Sequence, residues 1–117
     1  AVERMVLAGS ASEFIFRITS FIAFTARTTQ QRKKSVWIPR HAYGDYAHAA
    51  HAWSLERVTD IATADLVWAC EPSSPLGQTH TEWAHSPTAT VVLDCAYAPL
   101  RLSGQPSLNA KALKNHP

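Results

Sequence analysis

Two five-residue runs set the strongest limit on how this chain can fold: Leu66-Val67-Trp68-Ala69-Cys70 and Thr90-Val91-Val92-Leu93-Asp94. Neither alternates polar with apolar, so a sheet with one face in water would expose half of each run. Continuous apolar segments of this length mark parallel strands covered on both faces. Shorter candidates precede them. Residues 5–8 form an apolar run that stops at Gly9, residues 36–38 are closed by Pro39, and residues 57–61 read as a third short strand. Helical periodicity alternates with these runs. Ser10 begins a capping box with Glu13, whose carboxylate can reach back to the cap's backbone N–H. Behind it Phe14, Ile15, Ile18, Phe21 and Ile22 recur at helical spacing, which predicts a helix over 11–25. Residues 43–53 are alanine-rich and place Tyr46, Ala47, Ala50 and Trp53 on one stripe of a second helix. Residues 72–78 read as a loop by their Pro, Ser and Gly content. The tail, 101–117, offers a core only Leu102, Leu108, Ala112 and Leu113, and its last part reads as a short helix. Strands alternating with helices imply an α/β fold, a mostly parallel sheet with flanking helices.

The length of 117 residues bounds this to a single domain, 1–117, with one modest core. An apolar fraction of 46% and a charged fraction of 17% are those of a globular chain without a disorder signature. A formal charge of +2 is too small for a nucleic-acid partner, and the basic run at 27–34 lacks interleaved aromatics, so it reads as a solvated loop. No segment approaches the ~18 consecutive apolar residues of a membrane span. Without a basic-then-apolar leader, the expected address is cytoplasmic. Cys70 and Cys95, each ending an apolar run and outside any C-x-x-C spacing, read as buried free thiols. His41, His48 and His51 lie close together, but a zinc site needs further ligands of matching reach, so they read as polar surface residues and no metal is expected.

One local pattern points to chemistry. A strand, then Gly9-Ser10-Ala11-Ser12, then a helix start brings free backbone N–H groups and the positive end of a helix dipole together, which suits an anion. Gly and Ser also serve simply to cap such turns.

Four segments in order extend that pattern. Ala8-Gly9-Ser10-Ala11-Ser12-Glu13 resembles the Gly-Ala-(Ser/Asp)-Glu turn of fold-type I aminotransferases, especially the branch of histidinol-phosphate aminotransferase and threonine-phosphate decarboxylase. His41-Ala42-Tyr43-Gly44-Asp45-Tyr46 resembles that branch's Pro-Thr-Tyr-Gly-x-Tyr segment. Cys70-Glu71-Pro72-Ser73-Ser74-Pro75-Leu76-Gly77-Gln78 resembles its Pro-Asn-Asn-Pro-Thr-Gly-Gln loop. Leu93-Asp94-Cys95-Ala96-Tyr97 is similar to its Asp-Glu-Ala-Tyr. The resemblance implies a large-domain fold of the pyridoxal-phosphate (PLP) transferases. PLP would be held by its phosphate, sandwiched at its ring and kept protonated at its ring nitrogen. By that resemblance the N–H groups of Ala11 and Ser12, with the Ser12 hydroxyl, would hold the phosphate. Tyr43 would stack on the ring, Asp94 would pair with the pyridinium nitrogen, and Ser74 and Tyr97 would reach the 3-oxygen. As structural residues, Asp94 would merely cap the next turn and Tyr43 and Tyr97 would be half-buried aromatics.

Departures from the family pattern shape the functional expectation. Ser74 stands where the family has an asparagine that donates to the 3-oxygen, Ser73 where asparagine is usual, and Cys95 where glutamate follows the ring aspartate. Residues 79–90, with Pro87 and two His, can supply at most a turn or two where a full helix is usual. The family's Schiff-base lysine lies in a Ser-Lys segment beyond the ring aspartate. The lysines after Asp94 are Lys111 and Lys114, neither beside Ser or Thr. The expectation is therefore a family core cut at both sides and lacking its catalytic lysine. It is either the cofactor-binding part of an aminotransferase or decarboxylase acting on a small or phosphorylated amino acid, or an inactive truncated homologue serving as a binding or assembly module. A sequence with Phe14, Phe16, Phe21, Phe24 and four Trp in so short a chain is further expected to expose an apolar patch and form a dimer.

Overall fold

The structure, a computed structural model, describes residues 7–28, 33–73, 77 and 88–103. Six elements follow in order: α1 (Ala11–Thr28), β1 (Ser35–Trp37), α2 (Gly44–Ala52), β2 (Glu56–Val58), β3 (Leu66–Cys70) and β4 (Thr90–Asp94). The strands form one sheet in the order β2-β1-β3-β4, every neighbouring pair parallel. The fold class expected from the apolar runs is therefore the one observed. Of the first expected strand, residues 5 and 6 lie outside the described residues, and Leu7 and Ala8 are not in a strand, with Leu7 exposed. The strand expected at 57–61 is instead Glu56–Val58, and Ile61 begins a 3₁₀ turn, Ile61–Thr63, capped by the Asp60 carboxylate on the Ala62 N–H at 2.9 Å. The expected helix in the tail and residues 79–87 lie outside the described residues.

The core has two sides because β3 alternates within its apolar run. Leu66 and Trp68 face the helices and cluster with Ile15, Ile22, Val36, Tyr46, Ala49 and Ala50. Val67 and Ala69 face the other way, with Trp37 and Ala64. All five β3 residues are buried, so this central strand contributes about 1.5–3 kcal/mol for each large apolar side chain removed from water. At the far edge, β2 exposes Glu56 and Arg57, charges that discourage pairing with another strand.

Both helices depart in detail from the expected stripes. α1 buries Ile15, Thr19, Ile22 and Ala23, whereas Phe21 and Phe24 are each 63% exposed. Burial of Thr19 costs little because its hydroxyl donates to the Ile15 carbonyl at 2.8 Å. Phe21 points away from that buried line, about 100° round the helix from its neighbour Ile22. In α2 the buried residues are Tyr46, Ala49 and Ala50, while Trp53 lies past the helix end and is 39% exposed. There the chain reverses. Ser54 N–H donates to His51 O and Leu55 N–H to Ala50 O, at 3.1 and 2.9 Å, with Ser54 at φ 58°. This pair of bonds is a Schellman closure with serine in the left-handed position. It turns Leu55 inward, where it is buried.

The capping box also forms with a shift. Glu13 N–H donates to Ser10 Oγ at 3.1 Å, but the Glu13 carboxylate accepts from the Gly9 N–H at 2.6 Å, one residue before the cap. Arg17, one turn on, holds the other carboxylate oxygen at 2.6 Å and sets that reach.

Candidate functional site

The strand order reverses between β1 and β3: the chain leaves β1 toward β2, then returns past it to β3 and β4. In open parallel sheets such a switch opens a crevice at the carboxyl ends of the strands. The segments found at that end are the loop from β1 into α2, the end of β3, and the end of β4 with its following turn. The N-terminus of α1 joins them through side-chain contacts with Tyr43 and Asp45.

Asp94, the last residue of β4, anchors the cluster. Its Oδ1 accepts from the Ala96 N–H at 2.9 Å, and its Oδ2 accepts from the Tyr46 hydroxyl at 2.6 Å. Its backbone carbonyl takes the Glu71 N–H at 2.9 Å, which carries the β3–β4 pairing one residue past the end of β3. Tyr46 is fully buried, stacked on Trp68 with ring centroids 4.9 Å apart and planes 19° apart. Burial, and next the bond to Asp94, push its phenol far above the ordinary value, so it stays a neutral donor. Tyr43, one turn earlier, meets Tyr46 edge-on at 6.3 Å and 87° and is 44% exposed. Its hydroxyl lies 3.5 Å from Ser12 Oγ. Ser12, Tyr43, Tyr46 and Asp94 thus form one continuous chain of contacts from the start of α1 to the end of β4.

The α1 end carries a feature the sequence did not announce. Ser12 Oγ donates to Asp45 Oδ2, 33 residues away. That bond foremost, with further help from Tyr43 and His48, holds the Asp45 carboxyl below its ordinary range against an opposing desolvation. The Ala11 and Ser12 N–H groups have no hydrogen-bond partner among the described residues. The backbone half of an anion cradle is therefore open, while its hydroxyl already serves a carboxylate.

Of the residues singled out from the sequence, the contact chain brings together Ser12, Tyr43 and Asp94, with the Ala11 N–H adjacent to Ser12. Tyr97 is 41% exposed at the head of a 3₁₀ turn, Ala98–Leu100. Its ring makes no hydrogen bond or ring contact with the cluster among the described residues. Ser74, Lys111 and Lys114 lie outside the described residues. Cys70 is buried as expected, but Cys95 is exposed, because it follows the end of the edge strand β4. Among the described residues no three His, Cys, Asp or Glu side chains are grouped to hold a metal; His48 instead sits 3.5 Å from Asp45. No described helix is long and apolar enough to cross a membrane.

Two participants were missed in the sequence. Tyr46 stood in the sequence as a stripe residue and as the last tyrosine of the Pro-Thr-Tyr-Gly-x-Tyr-like segment, with no role given to its hydroxyl, although a buried tyrosine needs a partner for it. Asp45 sits at a position the resembling motif leaves open. A cavity of about 600 Å³ lined by Trp37, Ile38, Arg40, Arg57, Val58 and Thr59 shares no residue with this cluster.

The donor set can be tested against the cofactor the motifs imply. Each oxygen of a carboxylate accepts more than one bond, so Asp94 retains capacity for a ring N–H after serving Tyr46 and Ala96. The exposed Tyr43 ring is available to stack. The ring end fits. At the phosphate end the two free N–H groups fit, but Asp45 sets a negative charge against Ser12.

The fold defined here is a parallel α/β sheet with α1 and α2 on one face. Among solved structures, the chain is similar to the crystal structure of L-threonine-O-3-phosphate decarboxylase from Porphyromonas gingivalis, at 19% identity and a TM-score of 0.64. The match covers 89% of this chain and 35% of that one, so this chain spans about a third of the length of that enzyme. At that identity the likeness shows the fold. No protein-family model matches the chain, and no curated protein matches its sequence.

Proposed function

We propose that this chain supplies the cofactor-cradling part of a PLP-dependent enzyme acting on a small or phosphorylated amino acid, in the manner of an aminotransferase or decarboxylase. The observation that carries the reading is the Asp94 carboxylate, held at the end of β4 by Tyr46 and Ala96 and linked through Tyr43 to Ser12 at the start of α1. When bound, PLP supplies an electron sink for the substrate's α-carbon. In this reading Asp94 keeps the ring nitrogen protonated, Tyr43 covers one ring face, and the Ala11 and Ser12 N–H groups take the phosphate.

The contact between Ser12 and Asp45 favours a second reading, a module that keeps the fold and has lost tight cofactor binding. Titration with PLP, followed by absorbance, separates the two. The first reading expects saturable binding that Asp94→Asn weakens about tenfold, the worth of one charge-assisted bond, while the circular dichroism of the chain is unchanged. Binding that is absent, or indifferent to Asp94→Asn, favours the second.

A further inference from the structure

We propose that Tyr46 is the positioning residue for Asp94, fixing the plane in which its carboxylate meets a ring nitrogen; this rests on the cofactor reading above. The argument is geometric. Asp94 is the last paired residue of β4; the sheet holds its backbone, and its own turn holds one carboxylate oxygen only, through the Ala96 N–H at 2.9 Å. A carboxylate anchored at one oxygen can pivot about that contact. The Tyr46 hydroxyl takes the second oxygen at 2.6 Å and removes that freedom. Tyr46 can do this because its own ring is fixed. It is fully buried, stacked on Trp68 from β3 and met edge-on by Tyr43. β3 is in turn paired with β4 in the register that sets Cys70 opposite Asp94. The carboxylate is thereby braced from α2, from β3 and from its own turn. Burial keeps the phenol protonated, so the brace is not lost as pH rises through the range where a free tyrosine ionises.

The phenol is separable from the ring. Tyr46→Phe keeps the stack on Trp68 and removes only the hydroxyl. In crystal structures of the unliganded intact chain, the Asp94 carboxylate of Tyr46→Phe is expected to leave its present orientation or to occupy more than one. An unchanged Asp94 rotamer overturns the proposal whether or not any cofactor binds. A second measurement compares PLP with its analogue carrying carbon in place of the ring nitrogen. Tyr46→Phe is expected to weaken PLP about tenfold, the scale of one hydrogen bond to a charged group, and to leave the affinity for the analogue unchanged. Equal loss of both would reveal a role in packing alone and overturn the assignment. Should the wild-type chain bind neither compound, the cofactor reading fails, and the crystal structures still decide whether Tyr46 positions Asp94.

Discussion

Asp45 and Tyr46 are neighbours in the chain that serve different ends of the same cluster. The side chain of Asp45 reaches Ser12 at the α1 terminus, and that of Tyr46 goes inward to Asp94. The Asp45 carboxyl is held below its ordinary value of 3.8, chiefly by the Ser12 hydroxyl. A depressed folded-state value means stability that is present above the unfolded value and lost as pH falls through the folded one. Thermal melts of wild type and Asp45→Asn should therefore differ most near neutral pH, with wild type the more stable, and converge below pH 3.8. A difference that stays constant through the acid range would remove Asp45 from that balance. Neither contact could be read along the sequence. They join residues 33 and 48 positions apart, and a hydroxyl or carboxylate carries no mark of which distant partner it will meet.

At the scale of elements, legibility followed length and apolar content. β3 and β4 were readable to the residue because five consecutive residues of each are strand. β2 has three residues, two of them charged and exposed, and its extent comes from pairing with β1 rather than from its own composition. Phe21 was assigned to the buried stripe because periodicity weighs a phenylalanine above a threonine. The fold instead buries Thr19, whose hydroxyl bonds within its own helix. The end of α2 offers an element-scale prediction. Ser54 holds a left-handed conformation, φ 58°, that a Cβ disfavours. Ser54→Gly relieves that strain while adding freedom to the unfolded chain. The net expected gain is about 0.5 kcal/mol, visible as a small rise in denaturation midpoint, and a lowered midpoint would contradict it.

For the whole molecule, the described part of the segment after β4 is tied back to the sheet by a largely buried ion pair. Arg101 reaches the Glu71 carboxylate at 2.9 Å, with the two side chains 16% and 3% exposed. Breaking a buried pair from one side costs more than the pair contributes, since the remaining charge stays desolvated. Arg101→Leu is expected to lower unfolding stability by about 3 kcal/mol in urea titration, and the added change Glu71→Gln should restore much of it. Recovery that fails to appear would mean that Arg101 acts through its stem. This tie and the contact chain both bridge parts of the molecule far apart in sequence, which is why the fold class was legible early and the site's internal bonding was not.

The bond from Tyr46 to Asp94 has a temporal side. In a chain made from its N-terminus, Tyr46 is in place while the acceptor for its hydroxyl is still 48 residues from being made. Until then that hydroxyl has only water to bond, and the Trp68 face of the stack is likewise pending. Contacts of such separation form late, after the loop entropy between them has been overcome. The cluster can therefore exist only once β4 has docked beside β3. Its appearance times the completion of the sheet, and any slow step in that docking delays the site by the same interval.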